Sequence, residues 1–118
     1  MVTRAQIACN CPDAWVEEVA DSTLCLMLAL IRHTFDLVKM VSAGDGWTRQ
    51  ADLQQKGITR VRGMRLGIVG VGRIGTAVAQ RARAFGFEMS FYDPTLPAGA
   101  RAHTLRALCE STERIQLP

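Results

Sequence analysis

The feature that most constrains this chain is a glycine-rich segment that directly follows a short apolar run. Residues 66–69 are apolar and partly β-branched, which predicts a buried parallel strand. Residues 70–75 read Gly-Val-Gly-Arg-Ile-Gly and have the G-x-G-x-x-G spacing. Residues 76–84 then mix small or apolar residues with Gln and Arg, a pattern that predicts a helix. The sequence therefore predicts a strand, a tight turn and a helix in immediate succession.

Each glycine of this segment has a distinct physical role. Gly70 permits a sharp turn, Gly72 lacks the Cβ that would hold a pyrophosphate away from the backbone, and Gly75 permits close helix packing. The N–H groups of Arg73, Ile74 and their neighbours then point at the ligand, with the positive end of the helix dipole behind them. This arrangement predicts a dinucleotide site.

The segment after the helix supplies an acid at a suitable distance. Residues 88–93 predict a second strand that ends in Asp93, 18 residues after Gly75 and close to the about 20 expected for a carboxylate that accepts the ribose hydroxyls. Because a carboxylate repels a 2′-phosphate and Pro94 offers no cation, we expect NAD rather than NADP. The alternative, a glycine-rich surface turn beside an ordinary exposed acid, does not account for all these elements in order within so short a stretch.

Length and composition limit the classes of protein to which this chain can belong. A chain of 118 residues with 48% hydrophobic and 21% charged residues is expected to form one ordered domain. The net charge is +3, and the cluster Arg60, Arg62 and Arg65 is interpreted as a solvated loop rather than a nucleic-acid site. The longest apolar stretch, residues 24–31, is far shorter than the about 20 residues that a membrane span needs. With no signal peptide evident, we expect a cytoplasmic or nuclear protein with no membrane or direct nucleic-acid partner.

The four cysteines, at positions 9, 11, 25 and 109, lack zinc-ligand spacing. They are predicted to be small buried hydrophobic residues without disulfides, and no metal site is expected.

Residues 14–41 predict one long helix that is apolar on two faces. Asp13 is its predicted N-cap, and Gly44 its stop. Because a fragment of this size covers one face only, we expect the helix to form a homodimer interface; the alternative is that both faces pack inside a larger chain. One predicted face comprises Val16, Ala20, Leu24, Met27, Ile31, Val38 and Val41, and the other Val19, Leu26, Leu30 and Leu37.

Several segments together resemble the NAD-dependent D-isomer-specific 2-hydroxyacid dehydrogenase family. They are residues 6–12 (Gln-Ile-Ala-Cys-Asn-Cys-Pro), 17–22 (Glu-Glu-Val-Ala-Asp-Ser), 46–47, 62–63 and 66–75. Residues 83–87 and 91–94 are most similar to its C-terminal-binding-protein (corepressor) branch. The resemblance covers residues 5 to about 97 and weakens after Gly99.

The resemblance implies an α/β fold: the first half of a Rossmann (doubly wound parallel sheet) domain, preceded by the long dimerisation-type helix. It implies that Gly70, Val71, Gly72, Arg73, Ile74 and Asp93 contact NAD, and Gly75 completes the predicted site. Residues 1–12 would be the last strand (residues 5–11) of a substrate domain, and residues 13–118 a truncated NAD-binding domain.

The family's catalytic Arg, Glu and His have no counterpart in this sequence, so no catalytic residue is assigned. Neither His33 nor His103 is expected to act as a base, because neither is predicted to lie near the cofactor with an acid partner. Truncation also predicts that the strand at residues 66–69 has one unpaired edge. The isolated chain is then expected to be marginally stable unless it dimerises.

Three functions are compatible with these observations. The first is the NAD-binding part of a dehydrogenase that, when complete, transfers hydride between NAD and a 2-hydroxy or 2-keto acid. The second is an NAD(H)-regulated dimeric corepressor-like scaffold. The third is a truncated product without independent activity.

Overall fold

A computed structural model of the chain describes residues 9–44, 60–95 and 104–111, together with the backbone of 114–116. The described elements, in chain order, are α1 (Val16–Ile31), α2 (Thr34–Ser42), β1 (Arg65–Val69), α3 (Arg73–Ala84), β2 (Glu88–Tyr92), α4 (Leu105–Ser111) and β3 (Arg114–Gln116). The predictions made for residues 5–8 and for His103 lie outside the described residues.

The three described strands form one parallel sheet in the order β2-β1-β3. Arg65 pairs with Glu88 and Val69 with Tyr92 on one side of β1. On the other side, Leu66 pairs with Arg114 and Ile68 with Gln116. The predicted α/β doubly wound fold is confirmed, but the predicted unpaired edge of β1 is wrong. The short strand β3 pairs with residues 66–68 on the other side of β1.

The main core lies between the sheet and the pair of helices α1 and α3. Leu66 and Ile68, two residues apart in β1, point to the same face and are 0% and 1% exposed. They pack with buried residues of α1 and α3: Ala20, Leu24, Ile31, Ala77, Val78 and Ala82. Leu108 of α4 is fully buried but lies outside this cluster, so α4 covers the opposite face of the sheet. Helices on both faces are what a parallel sheet requires.

The predicted helix over residues 14–41 is two helices. His33 adopts the left-handed conformation with a φ of 52°, which ends α1 and redirects the chain into α2. His is one of the residue types that tolerate this conformation, and Nδ1 of His33 lies 3.3 Å from Oδ2 of Asp36, within hydrogen-bond distance. The helical periodicity continues through residues 32–33, so the break was not evident from the sequence. The predicted stop is confirmed, since Gly44 has a φ of 78° directly after α2.

The start of α1 also differs from the prediction. Trp15, with a φ of 69°, occupies the N-cap position, and no side chain caps the helix. Asp13 is therefore not the cap, and its carboxylate lies instead near Arg73. The predicted strand is absent at residues 9–11, which precede a turn over residues 12–15.

Two ion pairs link α1 to α3. Arg81 donates from Nε to Oδ1 of Asp21 and from Nη2 to Oε2 of Glu17, each at 2.5 Å. These two carboxylates raise the pKa of Arg81 above its ordinary value, with the hydrogen bond to Glu17 the larger cause. These ion pairs hold the first turns of α1 beside α3.

The prediction of buried cysteines is wrong. All four cysteines are exposed free thiols. Cys25 and Cys109 lie on helix faces that turn away from the sheet, and the other two precede α1. Their spacing carried no information on which side of a helix they would occupy.

The close contact between α3 and β1 depends on Gly75. A Cβ at this position would overlap the carbonyl oxygen of Gly70 and lie 3.6 Å from Cγ2 of Ile68. Because the obstructing atom is backbone, no rotamer change relieves the overlap. We expect Gly75→Ala to lower the free energy of unfolding by about 1–3 kcal/mol in urea titrations.

The matched control for this experiment is Gly72→Ala. A Cβ at Gly72 meets no atom within 4 Å, and its φ of −73° suits any residue. Gly72→Ala is expected to lower the free energy of unfolding by less than about 1 kcal/mol, the amount typical of a weaker N-cap. Equal destabilisation by the two substitutions would show that α3 does not pack on β1 through Gly75.

Candidate functional site

The glycine turn follows the carboxyl end of β1, the central strand of the sheet. β2 and β3 flank β1 on opposite sides, so the connections that leave the carboxyl ends of β1 and β2 lead to opposite edges of the sheet. In open α/β sheets, a crevice for ligands forms at this topological switch point, outside the carboxyl ends of the strands. Residues 70–72 connect β1 to α3 at this end.

The backbone of the turn explains the sequence pattern. Gly70 has a φ of 88°, a conformation that residues with a side chain rarely adopt, and its N–H donates to the carbonyl oxygen of Tyr92 at 2.8 Å. Gly72 is the N-cap of α3, and the space next to it where a side chain would lie is open. Gly75, by contrast, is buried against Gly70. Two glycines therefore shape the turn, and Gly72 leaves its outer side accessible.

The N-terminus of α3 provides hydrogen-bond donors at this open side. The first turn of a helix has N–H groups without a partner inside the helix. In α3 the N–H of Thr76 donates to the carbonyl oxygen of Gly72 at 2.9 Å, so the donors before Thr76 are the ones not bound within the helix. No acidic residue occurs in the first turn. The positive end of the helix dipole is therefore presented to the crevice, which favours an anion.

Asp93 lies at the mouth of the same turn. Its Oδ2 accepts a hydrogen bond from the N–H of Val71 at 2.7 Å. Its Oδ1 accepts from the N–H of Thr95 at 2.9 Å and from the Thr95 hydroxyl at 2.6 Å. The Thr95 hydroxyl, and after it the Val71 and Thr95 amides, lower the pKa of Asp93 below its ordinary value. The carboxylate is thus ionised and held beside the glycine turn.

An open groove of about 670 Å³ lies between the glycine turn and the start of α1. Val71, Gly72 and Arg73 line one side, and Asp13 and Val16 line the other. Nε of Arg73 lies 3.2 Å from Oδ1 of Asp13, and both side chains are largely exposed. The groove therefore combines helix-terminal N–H donors with one cation, Arg73, and two carboxylates, Asp13 and Glu17.

The structure brings the predicted residues together, but with different roles. Gly70, Val71, Gly72 and Arg73 form the turn and the edge of the groove. The side chain of Ile74 packs against the core, so only its backbone can face a ligand. Gly75 acts through packing. Asp93, the acid predicted to bind the ribose, lies beside them just after the carboxyl end of β2.

Two residues near the site were not predicted from the sequence. Thr95 holds the Asp93 carboxylate, and the Asp-x-Thr spacing of an Asx-turn is the signal that could have identified it. Asp13 reaches Arg73 from a segment 60 residues earlier, and no sequence pattern marks that contact.

His33 has an acid neighbour, because Asp36 lies 3.3 Å from its ring. This pair lies at the junction of α1 and α2, however, and does not line the groove. Among the described residues, no group of three or more His, Cys, Asp or Glu side chains could hold a metal ion. No helix in the described ranges is long and apolar enough to cross a bilayer.

The geometry of the turn fits a dinucleotide. A side chain at position 72 would occupy the open space in front of the N-terminus of α3, and glycine leaves that space free for a diphosphate. The Asp93 carboxylate lies one residue beyond β2, where a ribose next to that diphosphate would be bound. The residues present are therefore those that an NAD site requires.

Comparison with known proteins gives a consistent result. Residues 24–116 match the family model described as D-isomer specific 2-hydroxyacid dehydrogenase, NAD binding domain. The chain is 45% identical over 93 residues to C-terminal-binding protein 1 of Caenorhabditis elegans, covering 77% of this chain and 13% of that protein. It is 40% identical over 87 residues to glyoxylate/hydroxypyruvate reductase A HPR2 of Arabidopsis thaliana, covering 74% of this chain and 26% of that protein.

A dehydrogenase crystal structure from Rhizobium meliloti is similar in fold, with a TM-score of 0.72 and 27% identity. The alignment covers 91% of this chain and 36% of the bacterial chain. The chain thus spans between about one eighth and about one third of the length of these relatives.

Proposed function

Because the chain belongs to the D-isomer specific 2-hydroxyacid dehydrogenase family and residues 24–116 correspond to its NAD-binding domain, we propose that the glycine turn and Asp93 bind NAD(H). The observation that carries this proposal is the hydrogen bond of 2.7 Å between the Val71 N–H and the Asp93 carboxylate. This contact holds the acid proposed to bind a ribose beside the helix terminus proposed to bind the diphosphate. Neither group alone would be specific for a dinucleotide.

In this proposal the diphosphate lies over the N-terminus of α3. The N–H groups of Gly72, Arg73 and Ile74 donate to its oxygens, and the positive helix dipole adds to the attraction. The guanidinium of Arg73, which is 58% exposed, contributes charge at the edge of the groove. Gly70 and Gly75 contribute by shaping the turn rather than by contact through side chains.

The ribose next to the diphosphate is bound by Asp93. A carboxylate accepts about four hydrogen bonds, and the Asp93 carboxylate already accepts three, from Val71 and from Thr95. One ribose hydroxyl can bind at the remaining position of Oδ2, and a second requires that the Thr95 hydroxyl rotate away. Since the carboxylate is ionised, it also repels the additional phosphate of NADP, which favours NAD.

The activity of a complete protein follows from the family rather than from this chain. When bound, NAD supplies the nicotinamide that gives or accepts hydride. The substrate of the complete protein is proposed to be a small 2-hydroxy or 2-keto acid, as the names of the family and of the plant relative suggest. No described residue is assigned as a catalytic base, and the role proposed for this chain is cofactor binding. We also propose that the protein is located in the cytoplasm or the nucleus.

The exposed apolar side of α1 and α2 supports a homodimer, as the sequence predicted. On α1, Leu26 and Leu30 are 58% and 67% exposed, and Val19 is 41% exposed. On α2, Phe35 and Val41 are 55% and 68% exposed. Large exposed apolar patches are rare on monomeric proteins, so this side of α1 and α2 suits an interface. We propose that a second copy of the chain covers it, a property that also suits the alternative role as a corepressor-like dimeric scaffold.

The binding proposal is tested by titrating the purified chain with NADH and following NADH fluorescence. Asp93→Ala removes the ribose acceptor and is expected to weaken binding by about tenfold to a hundredfold. Glu88→Ala is the matched control, because Glu88 is an exposed carboxylate at the opposite end of the same strand. Its affinity for NADH should equal that of the unmodified chain.

NADPH provides the second arm of this experiment. The unmodified chain should bind NADH more tightly than NADPH, and Asp93→Ala should reduce that preference because the repelling carboxylate is gone. If Asp93→Ala and Glu88→Ala bind NADH with the same affinity, Asp93 is not the ribose ligand and the proposed site is wrong.

The dimer is tested by sedimentation velocity of the double variant Leu26→Lys, Leu30→Lys. Two charges on the apolar face of α1 should shift the chain from dimer to monomer, since an unpaired charge is costly to bury. Leu105→Lys on α4, an exposed leucine outside this face, should leave the dimer intact. A monomer for the unmodified chain at all concentrations would contradict the proposed interface.

A further inference from the structure

The ion pair between Asp13 and Arg73 joins the two sides of the groove. Asp13 lies in the turn before α1, and Arg73 is the first residue of α3. The distance from Nε of Arg73 to Oδ1 of Asp13 is 3.2 Å, and the side chains are 58% and 80% exposed. The contact therefore lies at the surface of the groove and not in the core.

Helix α3 begins with an unusual charge arrangement. A cation occupies its first position, where the helix dipole is also positive, and no acid occurs in its first turn. Acidic residues are enriched in the first turn of helices, where they interact favourably with the dipole. In this chain the negative charge comes from Asp13, which the fold brings to the helix from another segment. The carboxylate of Asp13 is thus held near this helix terminus by the Arg73 side chain.

The same position is the one that a diphosphate would approach. Asp13, Gly72 and Arg73 all line the groove, and the outer side of Gly72 is open. A phosphate bound by the N–H groups of α3 and by Arg73 would lie close to the carboxylate that now contacts Arg73. Two anions near one exposed guanidinium repel each other and compete for it.

We propose that Asp13 is an internal counter-ion of Arg73 that a bound diphosphate displaces, and that it thereby sets the affinity of the site. This inference rests on the proposed binding of NAD(H). Asp13 acts through Arg73, as a competitor for its guanidinium, and is not a direct ligand. Because a single contact between exposed groups contributes little free energy, the exchange is readily reversible.

The test compares NADH affinities of three variants in low salt. Asp13→Asn removes the competing charge and should tighten binding about two- to fivefold. Asp13→Glu restores the carboxylate and should return the affinity to that of the unmodified chain. Glu18→Gln makes the same change of net charge at an exposed position of α1 that does not line the groove, and should have no effect.

Further measurements separate competition from a structural effect. The gain from Asp13→Asn should shrink in the Arg73→Met background and at about 1 M NaCl, where charges are screened beyond about 3 Å. Adenosine, which carries no phosphate, should bind equally to the unmodified chain and to Asp13→Asn. Melting temperatures of the variants should agree, since the pair is exposed.

The outcomes distinguish this inference from the proposed function. If the unmodified chain binds no NADH, or if Asp93→Ala has no effect, the proposed function fails. If NADH binds and depends on Asp93 but Asp13→Asn leaves the affinity unchanged, the counter-ion role is wrong. Weaker binding by Asp13→Asn would also overturn it, because Asp13 would then orient Arg73 for the ligand.

Discussion

The hydrogen bond from the Val71 N–H to the Asp93 carboxylate is the contact on which the site depends. It joins the turn after β1 to the residue after β2, and so fixes the carboxyl ends of two neighbouring strands. The Thr95 hydroxyl and amide hold the other oxygen of the carboxylate. An ionised acid is thereby kept next to a helix terminus that attracts anions. A diphosphate and its adjoining sugar require these two features side by side.

The rest of the described fold supports this contact. Gly75 lets α3 pack directly on the end of β1, so the helix terminus cannot move away from the turn. Arg81 ties α3 to the first turns of α1, which form the opposite side of the groove. α1 therefore borders the groove proposed to hold the cofactor at its start and carries exposed apolar side chains further along. A dimer formed through that surface would stiffen a helix that also borders the site.

Much of this arrangement could be predicted from the sequence, because the decisive signals are local. The strand before the glycine turn, the helix after it and the acid at the end of the next strand are all adjacent in the chain. The helix break at His33 was missed because it interrupts no apolar periodicity and depends on one backbone angle. The pairing of β3 with β1 and the contact of Asp13 with Arg73 are long-range, and no local pattern specifies either one. The prediction that the cysteines are buried is wrong, because residue type alone does not determine which face of a helix is covered.

The central claim is that backbone amides at the start of α3 hold a diphosphate while Asp93 holds the adjoining ribose. Nuclear magnetic resonance of the ¹⁵N-labelled chain, titrated with NAD⁺, tests it most directly. The largest amide shifts are expected on residues 71–74 and on Asp93, whose N–H groups lie next to the proposed ligand. Shifts that leave those amides unchanged, or that concentrate at another face of the sheet, would contradict it.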